Sequence, residues 1–214
     1  MSALPSPRPP LGRPKDPAKR AAILEAAKAL FSAHGFDGVS MDQIAQAAGV
    51  SKLTVYSHFG DKDGLLAAAV RAHCEQELPV ELLQPVPGMP LRERLVEIAR
   101  AFQSLANSDT AIAGHRMLCT PNALPPQLAQ RFWDAGPARV QAGLAALLQA
   151  RVDVGELAID DTHLAASHLC SLLKGESHAR LMMGHPEPMD QADVERHLQS
   201  AVDLFLRAYR PSAP

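Results

Sequence analysis

Residues 40–62 read S-M-D-Q-I-A-Q-A-A-G-V-S-K-L-T-V-Y-S-H-F-G-D-K. Ser40, with Gln43 three residues later, forms a capping box, which predicts the start of a helix. Gly49 predicts a tight turn because glycine adopts a positive φ without steric cost, and Ser51 is a favourable N-cap for a second helix. The stretch therefore predicts two short helices joined by a glycine turn, followed by the start of a third helix.

The second of these helices carries the side chains expected of a helix that reads DNA. Val55 and Phe59 lie four residues apart and are predicted to face inward, which leaves hydroxyl, phenol, imidazole and ammonium groups outside. Such groups bind phosphate oxygens and base edges. A helix, a glycine turn and a helix make up a helix-turn-helix, whose second helix enters the major groove. The residues expected to contact double-stranded DNA are Ser40, Ser51, Lys52, Leu53, Thr54, Tyr56, Ser57, His58 and Lys62.

The pattern G-V-S-x-x-T-V-Y-x-H-F-x-D-K over residues 49–62 resembles the DNA-binding signature of the TetR/AcrR family of repressors. The resemblance is close over residues 20–72 and general elsewhere, and residues 124–137 resemble the C-terminal domain of the AefR-like subgroup. It implies a dimeric repressor that a small molecule releases from DNA. In that hypothesis Lys52 and Leu53 face base edges, whereas Tyr56, His58 and Lys62 hold phosphates.

The composition predicts an all-α chain of 214 residues in which 47% are hydrophobic and only 4% are aromatic. The net charge of −2 is polarised: residues 1–62 hold eight basic against five acidic side chains, and residues 63–214 hold thirteen against eighteen. Three separated cysteines fit a reducing compartment. No apolar run suits a membrane span and no signal core appears, so a cytoplasmic protein is expected.

Three segments are predicted along the chain. Residues 1–17 contain six prolines and form a flexible arm, in which Arg8, Arg13 and Lys15 either contact DNA or are merely solvated. Residues 18–64 form a three-helix DNA-binding domain. Residues 65–210 form a larger helical domain for ligand binding and dimerisation, with breaks at the proline and glycine clusters.

A two-fold homodimer is expected because operators read by this motif are nearly palindromic. The resemblance implies that the last two helices pair with their copies to form its interface. The alternative is that their apolar stripes serve only the core of one chain. These stripes contain Ala165, Leu169, Leu172, Gly175, Leu181, Val194, Leu198, Val202, Phe205 and Tyr209.

A cavity for an unidentified small-molecule effector is implied by the same resemblance and is expected among the helices of residues 91–152. Aromatic and methionine side chains suit its walls, and histidine or arginine its polar contacts. The residues assigned to it are Phe102, His115, Arg116, Phe132, Trp133 and Met182, with Met117, Met183 and His178 as further candidates. Each of them also suits an ordinary core or surface position.

The sequence contains no pattern for a cofactor, a metal site or a catalytic centre. His163 and His168 are five residues apart, which is not the spacing that puts two metal ligands on one helix face. An activator remains compatible with the sequence. The alternative from another class is an all-α small-molecule binding protein or enzyme with a vestigial helix-turn-helix.

Overall fold

The computed structural model describes residues 16–119, 125–185 and 190–211, and within them every regular element is helical. The predicted arm over residues 1–17 lies almost wholly outside the described residues. The α-helices are α1 (Pro17–His34), α2 (Met41–Ala47), α3 (Lys52–Phe59), α4 (Lys62–Glu77), α5 (Leu91–Asn107), α6 (Asp109–Cys119), α7 (Pro126–Ala135), α8 (Pro137–Asp153), α9 (Thr162–Met182) and α10 (Gln191–Ala208). A 3₁₀ turn at Val80–Leu83, which the sequence analysis did not predict, separates α4 from α5.

Local capping fixes where the helices of the DNA-reading segment begin. The Ser40 side chain accepts the backbone N–H of Gln43, while the Gln43 side-chain oxygen accepts the backbone N–H of Ser40 at 2.7 Å, so the predicted capping box is confirmed. Ser51 caps α3 and Asp61 caps α4, where Asp61 Oδ1 accepts the backbone N–H of Gly64 at 2.6 Å. Each cap satisfies amide groups that the first turn of a helix leaves free.

Two hydrophobic clusters make up the core. The first belongs to α1–α4 and contains Ile23, Ile44, Val55 and Leu65, none of which has measurable exposure. Leu128 of α7 also packs in this cluster, so the helices beyond α4 help to hold the DNA-reading unit in place. The second cluster is formed mainly by α5, α8, α9 and α10. The predicted division after residue 64 falls inside α4, whose Leu65 and Leu66 belong to the first cluster and whose Cys74 packs against the second.

The last two helices depart from the prediction in two ways. Ala165 and Leu169 of α9 and Leu198, Val202 and Phe205 of α10 are all at most 1% exposed in the single chain. These side chains fill the core of the protomer and cannot form a surface between two copies, so the alternative that they serve the core is correct for them. The large apolar side chains that these helices leave exposed are Leu164 and Leu204, at 53% and 48% exposure.

Helix α9 is also interrupted, which the sequence analysis did not foresee. Gly175 has φ 56° and ψ −164°, outside the helical region, so the backbone kinks at this residue. The ring of His197 on α10 fills the space beside it, and His197 Nε2 lies 3.0 Å from the carbonyl oxygen of Leu172. The imidazole is thus a hydrogen-bond partner for a backbone carbonyl group near the break in the helical hydrogen-bond ladder.

Candidate DNA interface and ligand cavity

Helix α3 presents one face to the core and its other faces to solvent. Val55 is fully buried, which fixes the rotation of the helix, while Leu53 is 78% and Tyr56 is 41% exposed. Ser57 is exposed as well. The exposed side chain of Leu53 stands at the start of this helix, where an apolar group can contact a thymine methyl in the major groove.

The hydroxyl groups at the start of α3 bind each other. Ser51 Oγ and Thr54 Oγ1 are 2.8 Å apart, and the backbone N–H of Thr54 donates to Ser51 Oγ at 3.2 Å. Ser57 Oγ donates to the carbonyl oxygen of Thr54 at 3.1 Å. These bonds hold the three hydroxyls in fixed positions along the helix and keep oxygen lone pairs available.

Two cations pack on aromatic rings beside α3. Lys62 Nζ lies 4.2 Å from the ring centre of Phe36, and the Arg20 guanidinium carbon lies 5.4 Å from that of Phe59. Such contacts hold a cation over a ring without neutralising its charge. Among the described residues, no partner reaches the buried Nδ1 of His58, so its ring is placed by packing beside Phe59.

The structure brings the predicted DNA-contact residues together on α3 and at the N-termini of α2 and α4. Ser40 caps α2 and Lys62 is the first residue of α4, so the amide groups of two helix starts lie beside α3. Helix N-termini carry a partial positive charge and favour phosphate groups. Lys52 was expected to be available for DNA. In the structure its ammonium group instead forms an ion pair with Asp42 of α2 at 2.8 Å.

A second candidate site is a cavity of about 120 Å³ between the DNA-reading unit and the later helices. Helices α1 and α4 supply one side of it, and helices α5 to α9 supply the rest. Its lining is largely apolar. The lining residues are Lys28, Phe31, Ser32, Leu66, Ala69, Val70, His73, Cys74, Phe102, Leu105, Ala106, Thr110, Ala111, Gly114, His115, Met117, Phe132, Trp133, Pro137, Val140, Gln141, Cys170 and Lys174.

Several residues assigned to the cavity from the sequence line it. Phe102, His115, Phe132 and Trp133 do so, together with the further candidate Met117.

The other assigned residues lie elsewhere. Arg116 donates to the carbonyl oxygens of Leu181 and, at 3.2 Å, of Met182, so it caps the end of α9. Met182 therefore takes part in this cap through its backbone. Met183 is 82% exposed, and His178 lies behind His115 with ring centres 5.5 Å apart.

Part of the lining comes from outside residues 91–152 and was not predicted from the sequence. Helix α1 contributes Lys28 and Phe31, helix α4 contributes His73 and Cys74, and α9 contributes Lys174. Only Lys174 had a usable sequence signal. It lies four residues after Cys170 and four before His178, which puts a lone cation on the same helix face as a cysteine and a histidine.

Burial sets the protonation of the groups around the cavity. Loss of solvent, with smaller effects from Lys174 and His178, lowers the pKa of His115 to about 4. Burial also lowers the pKa of His73 and of His178. It raises the pKa of the Cys74 thiol and of the Cys170 thiol to about 11. At neutral pH these rings and thiols are uncharged, so the lysines carry the charge of the lining.

No helix within the described ranges is both long enough and apolar enough to cross a membrane.

Comparison with known proteins places both halves of the chain in one family. The family model for TetR-family bacterial regulatory proteins matches residues 23–69, and the model for the C-terminal domain of AefR-like transcriptional repressors matches residues 93–211. The HTH-type transcriptional regulator YdeS of Bacillus subtilis is 30% identical over 150 residues, which are 68% of this chain and 71% of YdeS.

Two solved structures extend the similarity over nearly the whole chain. A TetR-family transcriptional regulator from Mesorhizobium loti is 30% identical, with a TM-score of 0.75 over 90% of this chain and 97% of its own. The flavonoid-responsive regulator FrrA is 31% identical, with a TM-score of 0.70 over 91% and 98%. The arrangement of α2, the glycine turn and α3 is therefore the DNA-binding element of a known class, and this chain belongs to the TetR family of transcriptional regulators, with an AefR-like C-terminal domain.

Proposed function

We propose that the protein is a dimeric repressor in the cytoplasm that binds a nearly palindromic operator and leaves it when a small molecule fills the cavity. The observation that carries this proposal is the position of the cavity. Its walls include Phe31 of α1 and Leu66 and Ala69 of α4, and these three residues also belong to the hydrophobic cluster that holds α3. A ligand in the cavity therefore touches the same side chains that position the recognition helix.

The contact between α4 and the α7–α8 junction gives the coupling a physical basis. A Cβ atom on Gly136 would lie 2.8 Å from Val70 Cγ1 and 3.0 Å from Cys74 Sγ, so the chain has no spare room there. A ligand that pushes Val70 or Cys74 has to move α4 rather than compress it, because packed interiors transmit strain. Half-sites on one face of DNA are about 34 Å apart, and a change of a few ångströms in the spacing of two recognition helices weakens both contacts.

Dimerisation is proposed through the outer faces of α9 and α10. Leu164 and Leu204 are large apolar side chains that remain about half exposed in the single chain. A Leu164→Glu and Leu204→Glu double variant should be monomeric by analytical ultracentrifugation and should lose affinity for a two-half-site operator. A single half-site should still bind the variant weakly, since α3 is unchanged.

The DNA contacts are tested by fluorescence anisotropy on DNA flanking the gene, with nonspecific competitor at two salt concentrations. Tyr56→Ala with Lys62→Ala should weaken binding at least tenfold and flatten the salt dependence, because a phosphate contact is lost. Arg131→Ala, on α7 and outside the DNA-reading unit, is the matched control. Equal affinity of the double variant and the control variant would reject the proposed surface. A chain that binds small molecules but no DNA would indicate a vestigial helix-turn-helix.

A further inference from the structure

The body of the cavity suits a hydrocarbon group. Phe102 and Phe132 line it, and both are buried against neighbouring apolar side chains. The Phe132 ring also lies 3.2 Å from where a Cβ atom on Gly114 would stand, so the wall is closely packed there. A molecule with an aromatic or aliphatic body would gain from leaving water in this site.

The polar part of the lining carries positive charge that is not balanced. Among the described residues that line the cavity there is no aspartate or glutamate. The charge of Lys28 is already compensated, because its Nζ lies 2.6 Å from a carboxylate oxygen of Glu25 and donates a hydrogen bond to Gln76 at 3.1 Å. Lys174 differs from it: its Nζ makes no ion pair or hydrogen bond with any residue in the part of the chain that the structure describes.

Nearby acidic groups do not compensate Lys174. Glu176, two residues later on α9, is 2.7 Å from Arg180 and is engaged there. The positive charge of Lys174 disfavours protonation of the nearby imidazoles, so it contributes to the lowered pKa of His115 and of His178. An anionic ligand in this largely apolar cavity would give the Lys174 ammonium group the partner of opposite charge that it lacks among the described residues.

A hydrogen-bonding group stands beside this charge. His115 Nδ1 is buried and has no hydrogen-bond partner among the described residues. Its neighbour His178 is engaged instead, with Nδ1 3.0 Å from Asn107 Oδ1. A buried ring nitrogen without a partner costs free energy, and a ligand oxygen would satisfy it if that nitrogen carries the proton.

We propose that the effector is an apolar organic acid, with a hydrocarbon body among Phe102 and Phe132 and one carboxylate group held by Lys174 and His115. This inference rests on the proposed function and names the chemical class of the ligand. The carboxylate would accept a charge-assisted hydrogen bond from Lys174 Nζ and a neutral one from the imidazole. A neutral amide of the same shape would still offer an acceptor oxygen, but it would leave the positive charge of Lys174 without an anion.

The test uses acids paired with their amides, which match them in shape but carry no charge. Benzoate and benzamide, 2-naphthoate and 2-naphthamide, and decanoate and decanamide are titrated into the full chain by isothermal calorimetry. In at least one pair the acid should bind about tenfold or more tightly than its amide, the preference expected of one buried charge-assisted hydrogen bond. Equal or tighter binding of the amide in every pair, or no binding of any acid, would overturn the proposal.

Variants assign the preference to residues. Lys174→Met keeps the length of the side chain and should abolish the preference for the acid, whereas Lys174→Arg should retain much of it. Lys28→Met is the matched control, since it removes the other lysine of the lining, whose charge is already paired, and should change the preference less than threefold. A preference that survives in Lys174→Met would contradict the assignment.

The same samples separate failure of this inference from failure of the proposed function. Anisotropy on the operator DNA is recorded without ligand and with each acid and amide. DNA binding that responds only to amides would retain the ligand-responsive repressor and overturn the organic acid. An acid that binds with the predicted preference without changing DNA affinity would retain the ligand class and overturn the proposed release mechanism.

Discussion

The ammonium group of Lys52, the first residue of α3, lies 2.8 Å from the carboxylate of Asp42 on α2. The hydrogen bond to this carboxylate, together with its negative charge, raises the pKa of Lys52. The pair is exposed on the surface proposed to face DNA. There the carboxylate of Asp42 holds the ammonium group of Lys52 in an ion pair and also repels the phosphates of DNA. On the proposed DNA contacts, we expect this pair to restrain the affinity of the recognition helix for DNA in general.

Asp42→Asn should strengthen nonspecific DNA binding about threefold at low salt, because Lys52 becomes available and one negative charge is removed. The slope of log affinity against log salt should steepen by up to about one unit, as for one added phosphate contact. Anisotropy with a random duplex at several salt concentrations measures both quantities. Asp134→Asn on α7 is the control and should leave them unchanged. An unchanged slope in Asp42→Asn would mean that Lys52, expected at base edges in the operator, does not reach a phosphate in nonspecific binding to a random duplex.

The three cysteines should differ sharply in reactivity. Burial raises the pKa of Cys74 and of Cys170 to about 11, whereas Cys119 is exposed. At pH 8 a thiol with such a pKa is only about 0.1% thiolate, against roughly a tenth at the ordinary value of 9. A thiol-reactive chromophore should therefore label one cysteine per chain quickly and the other two slowly. Unfolding in guanidinium should release all three, and fast labelling of three thiols in the folded protein would contradict the buried positions.

The helices could be predicted from the sequence because their ends are fixed locally. Ser40, Ser51, Asp61 and Asp161 cap helices at the positions where such residues are expected, and prolines and glycines separate the later elements. Features that depend on packing between distant parts of the chain were not predictable in this way. The kink at Gly175 is one of them, since it forms together with a histidine 22 positions further on in the sequence.

Of the two candidate sites, the DNA interface could be predicted from the sequence, whereas most of the cavity could not. The DNA-contact residues lie within one short stretch, so their spacing alone indicates a shared surface. The cavity combines Phe31, His73, His115 and Lys174 from four different helices, and no local pattern joins them. The apolar stripes of α9 and α10 were ambiguous because periodicity identifies a buried face without showing whether the same chain or a second copy buries it.

The kink in α9 makes Gly175 sensitive to substitution. A Cβ atom there would lie 2.6 Å from His197 Nε2, and the positive φ of 56° adds backbone strain. Gly175→Ala should lower the free energy of unfolding by about 2–3 kcal/mol, from the strain and from the lost hydrogen bond to the Leu172 carbonyl.

Gly155→Ala provides the control for this substitution. Gly155 also has a positive φ, of 77°, but nothing lies within 4 Å of its added Cβ. That variant should lose only about 1 kcal/mol, the cost of the backbone conformation. Urea unfolding of both variants measures the difference, and equal losses would show that His197 moves aside freely.

The buried imidazole of His115 should make stability depend on pH. Its pKa of about 4 in the folded chain is below the ordinary value of 6.5 that applies to the unfolded chain. The unfolded chain therefore binds the proton first, so the stabilisation is fully present above pH 6.5 and is lost as the pH falls from 6.5 toward 4. His73 and His178, whose pKa is also lowered, act in the same direction.

Replacing this ring with a side chain that does not titrate should flatten the pH profile. His115→Leu should lose less stability than the wild type between about pH 7 and pH 4.5, and it should retain the part of the decline due to the other two histidines. Urea unfolding across that range measures the change. His163→Leu, at an exposed position of α9, is the control and should keep the wild-type profile. If His115→Leu showed the full wild-type decline, the ring would be solvated in the folded protein, and its role as an uncharged hydrogen-bonding group in the cavity would have to be abandoned.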